Sequence, residues 1–346
     1  MNCWALKTGW KAGWFWSAQR WMRRAAPKPM RSPPTSSCSM PGLRRKKCGC
    51  WIFWPKISAS TRSRALPSTR RLKSVWHRSW AIMIDFISQY EPVLRVVVFL
   101  SALALLVGFE IISPRRFIGA RRGRWQTNFL LGGANMLLLR VVLPGGLVAL
   151  AFSTHGGGVF GWLNMPLWAE IIVSLIVLDF VIYAQHVAFH HVPLLWPLHA
   201  AHHAEQTLDV TSGLRFHPGE ALVSLGIKAV AIVVLGVHPV AVIIFEILLS
   251  STSLFTHANV DLGRWDGRLQ TLFVSPDMHR LHHSKAEDES RRNFGTWLSV
   301  WDKIFATYRA TPHIGHERLP LGLAGFRQGG LIEALRHPLR HFVRRP

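Results

Sequence analysis

The chain of 346 residues has no cysteine after Cys50, and its first 82 residues contain neither aspartate nor glutamate. The first absence removes thiolate zinc sites and iron–sulfur clusters from everything downstream. Cys3, Cys38, Cys48 and Cys50 all lie in the leading segment, where Cys48-x-Cys50 lacks the second pair a metal motif needs, so no role is assigned to them. No His-Glu-x-x-His occurs, which leaves a zinc-protease reading without its motif. A Rossmann glycine fingerprint and a haem-attachment motif are also missing, so no built-in electron carrier is visible.

The second absence splits the chain at about residue 82. Residues 1–82 hold 18 of the 41 Lys+Arg and nine of the 16 Trp. Residues 83–346 carry 23 basic and 18 acidic residues, a net of +5. The overall charge of +23 therefore belongs mostly to the leading segment and is no argument for a nucleic-acid partner. That segment is rich in Arg, Ser, Pro and Trp and shows no sustained apolar period. It lacks a clear secretory pattern, and nine tryptophans do not suit a transit peptide. The expectation is that residues 1–82 are a non-native extension with the genuine start at Met83; the alternative is a disordered basic arm.

Beyond Met83 the apolar runs have membrane-spanning lengths. Val93–Ser113, Thr127–Phe152 and Pro166–Ala184 each suit one helix, with Arg95, Glu110 and Arg140 as charged interruptions. Ala221–Thr256 is too long for one span and is broken by Gly236-Val237-His238-Pro239, which predicts a helical hairpin. Arg115, Arg116, Arg121, Arg122 and Arg124 crowd the first loop, which places that loop in the cytoplasm. Counting spans from there brings both sides of the hairpin to the cytoplasmic face. The expected architecture is all-α, an integral-membrane bundle of about four to five spanning or hairpin helices under a cytoplasmic helical cap. Residues 83–326 form this domain and residues 327–346 a basic tail, with Leu331–Arg345 either lying on the inner membrane surface or unstructured.

Histidine is what the chain has in abundance. Twelve of its 18 histidines fall between His186 and His283. His186-x-x-x-His190 puts two imidazoles on one helical face. His199-x-x-His202-His203 does the same with three, and His279-x-x-His282-His283 repeats that spacing. A lone histidine is usually a surface or helix-end residue. Three such rows on one face of a membrane predict metal, because one neutral imidazole supplies one ligand and an ion needs several. Closely packed imidazolium ions would repel one another, which also favours the neutral, metallated state. Eight to ten histidines exceed the needs of one ion, so two ions are expected. Imidazole suits zinc, copper, iron or nickel alike.

The neighbours of these histidines carry a resemblance. Asp179 through His190, His199 through His203, Arg215-Phe216-His217-Pro218, Phe255-Thr256-His257-Ala258-Asn259 and Ser275 through Ser284 resemble the fatty acid hydroxylase/sterol desaturase superfamily. Asn293-Phe294-Gly295 through Tyr308-Arg309 resembles its closing motif, and the likeness covers roughly residues 95–326. It implies two iron ions that use O2 to hydroxylate or desaturate a lipid C–H bond, with zinc a possible occupant in purified material. The ligands it implies are His186, His190, His199, His202, His203, His279, His282 and His283, with His217 and His257 as further ligands. His191 stands where the family often has arginine, and His238 falls at the far hairpin tip; both are left out. His155, His313, His316, His337 and His341 read as surface residues.

Asp179, two helical turns before His186, is a candidate to accept a ligand's free ring N–H, or else a counter-charge for Arg140. Asn259 and Asp277 flank ligand positions and are candidates for the same work. Tyr183 and Trp196 read as interfacial aromatics, and Arg280 and Lys285 as solvated charges or headgroup contacts. The expected partners are a lipid, O2, the membrane and a separate electron donor, either a small redox carrier or a reductase. The expected location is a bacterial inner membrane. A metal-dependent lipid hydrolase or isomerase is the alternative, and a metal transporter is a more distant one, since the histidine rows lie outside the apolar runs.

Overall fold

The computed structural model describes residues 69–119, 121–324 and 329–336, with side chains from residue 89 onward. The expected extension therefore lies largely outside the described residues, with all four cysteines, as does most of the basic tail. The described part is all-helical, and its bridges are isolated single pairs.

Helix α1 (Thr69–Ile112) runs without a break across residue 83, so the expected domain boundary falls within a helix. Helix α2 (Arg122–Val142) is followed by two short helices, α3 (Gly146–Thr154) and α4 (Gly158–Leu163). The expected single span over 127–152 is thus broken at Leu143–Gly145. Helix α5 (Leu167–His191) starts directly after Pro166, whose extended backbone precedes the first turn. The predicted hairpin is present as α7 (Pro218–Leu235) and α8 (Pro239–His257), joined through Gly236. Each arm begins with a His-Pro pair. The Nδ1 atoms of His217 and His238 accept the N–H groups of Gly219 and Val240, which caps the two helices.

Five segments are long and apolar enough to cross a membrane: Gln89–Ile112, Arg122–Leu163, Leu167–His191, Pro218–Leu235 and Pro239–His257. Their outer faces keep large apolar side chains exposed, Ile112 by 81% and Leu105 by 65%, as a lipid-facing surface requires. Between them Leu147, Ala151, Phe160, Leu178, Ile232 and Val242 pack a core near the hairpin tip. Gly236 makes that end possible. Its φ is +71°, and a Cβ there would stand 1.8 Å from the Gly157 carbonyl oxygen.

The opposite end of the bundle carries the short elements. These are α6 (Trp196–His203), a 3-10 turn (Val210–Leu214), α9 (Arg264–Leu269), α10 (Pro276–His282), α11 (Glu287–Ser290) and α12 (Val300–Ile304). Glu110, near the end of α1, ties this cap down by accepting from the backbone N–H groups of Val210 and Asn259.

Candidate metal centre

The histidine rows converge where these short elements meet the helix ends. His186 and His190 come from the last turns of α5, and His199, His202 and His203 from α6. His257 is the last residue of α8; His279 and His282 lie on α10, and His283 follows it. The nine rings form two groups. One nitrogen from each of His186, His190, His199, His203 and His282 lies within 4.8 Å of the others, and His202, His257, His279 and His283 form a second such set. Eight of the nine side chains are at most 6% exposed, and half-buried His186 faces a cavity.

The outward-facing nitrogens fix the tautomers. His186 Nδ1 donates to the Phe294 carbonyl at 2.7 Å, His202 Nδ1 to Arg215 at 3.0 Å, His257 Nδ1 to Ser253 at 2.7 Å and His282 Nδ1 to Arg292 at 2.7 Å. His199 Nδ1 donates to Glu220 Oε1 at 2.7 Å. A carbonyl oxygen only accepts, so each Nδ1 holds the proton and each neutral ring turns a lone pair inward from Nε2. Those Nε2 atoms then face one another, His186 to His199 at 3.1 Å, His202 to His257 at 3.0 Å and His257 to His279 at 3.1 Å. His203 and His282 make the same contact at 3.1 Å, and His283 and His279 at 3.3 Å.

In the His186–His199 and His202–His257 pairs both rings have their Nδ1 proton engaged, and lone pairs opposed at such distances repel unless positive charge lies between them. Protons are poorly suited to supply it. Burial lowers the His199 pKa to about 3, and burial with neighbouring imidazoles pushes His202, His203, His279, His282 and His283 well below the ordinary histidine value. His190 Nε2, buried among these rings, has no protein partner. The donor set fits two bound cations with neutral imidazole ligands.

A polar frame holds the carbonyls that aim the rings. Asp302 accepts from the N–H groups of Phe294 and Gly295 at 2.8 Å each and from Thr307 Oγ1 at 2.6 Å. Asn293, at φ +57°, donates to the Met278 and Arg309 carbonyls. The 293–309 segment is thus a clamp that delivers the Phe294 carbonyl to His186. On the other side, buried Arg215 binds Asn128 and the Ala201 carbonyl. Asp209 and Glu205 pair with Arg124, and Trp125 Nε1 donates to Asp209 at 2.8 Å. This network sets the backbone that receives His202.

Several expected contacts take other forms. His217 joins neither group, because its Nδ1 is committed to the α7 cap and its Nε2 lies 3.3 Å from the Leu335 carbonyl. Asp179 touches no histidine; it accepts from Trp301 Nε1 at 2.8 Å and Leu298 N at 3.2 Å. Nor does Asp179 face Arg140, which donates to the Pro144 carbonyl. Asn259 pins the Arg116 backbone, and Asp277 binds Arg115 and Arg280. Tyr183 is buried, with its hydroxyl 3.0 Å from Thr307 Oγ1, and Trp196 packs on His190 and His203. Arg280 is 1% exposed rather than solvated. The ring partners that the sequence did not reveal are four backbone carbonyls, which have no residue signature, and Glu220, three residues after His217.

A cavity of about 410 Å³ opens onto the centre from between the membrane helices. His186, His199, His202, His257 and His279 form its inner wall, with Phe99, Met136, Leu139, Ile182, Phe189 and Leu249 along its sides. This membrane-facing chamber, with five of the nine clustered histidines on its inner wall, brings groups that could hold metal ions next to a space between apolar helices. Residues 171–307 match the fatty acid hydroxylase family model. The relatives fall in the wider fatty acid hydroxylase/sterol desaturase superfamily. They include ornithine lipid hydroxylase OlsE of Rhizobium tropici, 26% identical over 70% of this chain and 74% of its own length. Alkylglycerol monooxygenase of Caenorhabditis elegans is 27% identical over 39% of this chain and 26% of its own length. Delta(7)-sterol-C5(6)-desaturase of Nicotiana tabacum is 28% identical over 43% of this chain and 52% of its own length. The chain thus spans about a quarter to three quarters of these relatives. No solved structure matches it.

Proposed function

We propose that this chain is a membrane-bound, O2-dependent di-iron oxidoreductase that hydroxylates or desaturates a C–H bond of a lipid with electrons from outside. The observation that carries this reading is the set of inward-facing Nε2 pairs at 3.0–3.3 Å, closed by a cavity between apolar helices. His186, His190, His199, His203 and His282 would hold one iron, and His202, His257, His279 and His283 the other. Bound there, an iron pair would supply the redox chemistry for O2-dependent oxidation of a C–H bond.

The chain's own residues do the rest. Nδ1 bonds to the Phe294, Arg215, Ser253 and Arg292 carbonyls and to Glu220 orient five rings and strengthen them as ligands. Phe189 and Phe294, both buried against the histidines, help exclude water from the centre. Electrons come from a separate reductase or small redox carrier. The enzyme sits in a bacterial inner membrane with its centre on the cytoplasmic face, the Arg-rich loop before α2 supporting that orientation. Residues 83–326 form its membrane domain and 327–346 its basic tail.

The test is metal analysis and turnover of the full chain in lipid nanodiscs. Two irons per chain are expected, with O2 consumed only when reductant is present and a lipid product that gains one oxygen or loses two hydrogens. Turnover without reductant, or two zincs retained through turnover with no O2 consumed, would overturn the reading in favour of a hydrolase or isomerase.

A further inference from the structure

A second cavity, of about 700 Å³, lies where the loop after α1 meets residues 317–321, and it shares no lining residue with the membrane cavity. Five of its fifteen lining residues are cations, Arg115, Arg116, Arg280, Lys285 and Arg318, against one acid, Glu317. Asp277 binds both Arg115, at 3.1 Å, and Arg280, at 3.4 Å, so two guanidiniums share one carboxylate. Glu317 and Asp261 stand 3.5 and 3.9 Å from Arg115, but their side chains are 79% and 46% exposed and water screens them. Lys285 and Arg318 are exposed, and neither side chain makes a hydrogen bond or ion pair among the described residues.

Arg116 is the centre of this imbalance. Its guanidinium meets carbonyls rather than carboxylates: Nε and Nη2 donate to Glu317 at 2.8 and 2.6 Å, and Nη2 to Leu319 at 2.9 Å. Asn259 grips the same residue through its backbone N–H and carbonyl. A half-buried cation is thus held rigidly, with Nη1 left over. Burial lowers its pKa, and the nearby Arg115 cation lowers it further. Like charges crowded into a part-buried space repel unless an anion joins them, and a guanidinium already fixed in place loses little freedom in binding one. The surroundings point to what carries that anion. Ile111 and Ile112, at the end of α1, are 70% and 81% exposed, and Phe117, next to Arg116, is 97% exposed. Bare apolar side chains beside arginines suit the layer of a bilayer that presents lipid phosphates.

We propose that this second cavity binds a phosphate group, from the headgroup of an anionic membrane lipid or from phosphate in solution, with Arg116, Lys285 and Arg318 as its contacts. Arg115 adds charge beside them, and Arg280, too buried to touch a ligand, adds charge from beneath. The bound phosphate joins the loop after α1 to residues 317–321. The next residue, Gly322, donates its backbone N–H to the His283 carbonyl at 3.2 Å, so occupancy of the site stiffens the cap beside the metal centre.

Thermal unfolding of the full chain, delipidated in a nonionic detergent, tests this without any turnover. Dioleoylphosphatidylglycerol and inorganic phosphate are titrated separately, with dioleoylglycerol as the phosphate-free control. A saturable rise in unfolding temperature is expected with the phospholipid, with phosphate or with both, and none with dioleoylglycerol. Which of the two acts identifies the source. The double variant Lys285→Gln, Arg318→Gln removes two exposed cations of the site and is expected to raise the half-saturating concentration about tenfold or more. Arg264→Gln with Arg268→Gln removes two exposed cations elsewhere on the cap and is expected to leave that concentration unchanged. The proposal is overturned if neither phosphate source shifts unfolding, which would leave these cations to an acidic protein partner. It is equally overturned if the two double variants respond alike, since the attraction would then be that of the cap's general charge.

Discussion

His199 and Glu220 are joined at 2.7 Å, Nδ1 to Oε1, across the junction between α6 and the first turn of α7. Both side chains are buried, so little else can orient this ring. Glu220→Gln keeps the shape but offers His199 a weaker amide acceptor in place of the carboxyl oxygen that orients it. A loss of about 10- to 100-fold in metal affinity is expected, the usual cost of a lost outer partner. Competition against a chelator of known affinity checks it, and unchanged affinity would show that Glu220 does not support a ligand.

His217 and His257 were indistinguishable by sequence context, yet the structure gives them different work. His257 Nε2 faces His202 and His279, whereas His217 caps α7. His257→Ala is expected to lower the metal content of purified protein from two ions toward one. His217→Ala should retain two ions and lose about 1 kcal/mol of stability, the typical worth of an N-cap side chain. Metal stoichiometry of the two variants, with thermal unfolding of the second, separates the roles. Equal metal loss in both would return His217 to the ligand set.

The helical bundle, the hairpin and the nine clustered histidines were readable because each rests on a local pattern. Apolar length marks a span, Gly236 with His238-Pro239 marks a turn, and i, i+3, i+4 spacing puts rings on one face. The ring partners were not readable for two reasons. Four are backbone carbonyls brought in from Phe294, Arg215, Ser253 and Arg292 by tertiary packing. The fifth partner depends on how α6 meets α7, which no single helical phase encodes. Asp179 shows the converse error: helical phase placed it correctly relative to His186, but the closing segment supplies Trp301 and Leu298 as nearer partners.

Asp302 is the anchor of that closing segment. Its carboxylate accepts from two backbone N–H groups and one hydroxyl, and it is fully buried. Asp302→Ala leaves buried donors without acceptors, at about 1–3 kcal/mol for each. The expected result is a lower unfolding temperature together with weaker metal retention, because the Phe294 carbonyl is no longer held against His186. Asp302→Asn should recover part of both. A variant that loses stability but keeps full metal affinity would separate the clamp from the centre.

The cluster around Glu246 makes a prediction of opposite character. Arg95 and Lys228 both pair with this single carboxylate inside the helical bundle, and Arg95 also reaches Glu91 at 2.9 Å. Glu246→Gln removes the shared counter-charge and leaves two cations close together in low dielectric. Breaking a fully buried ion pair from one side costs about 3–5 kcal/mol, and these groups are part-buried, so a smaller but clear destabilisation is expected from a change that alters hardly any volume. Adding Lys228→Met removes one of the stranded charges and should restore much of the loss, because Arg95 then still has Glu91. Thermal unfolding of the single and double variants in the same nanodiscs measures this directly. If the double variant were no more stable than the single one, the loss would lie in packing around Glu246 and not in charge.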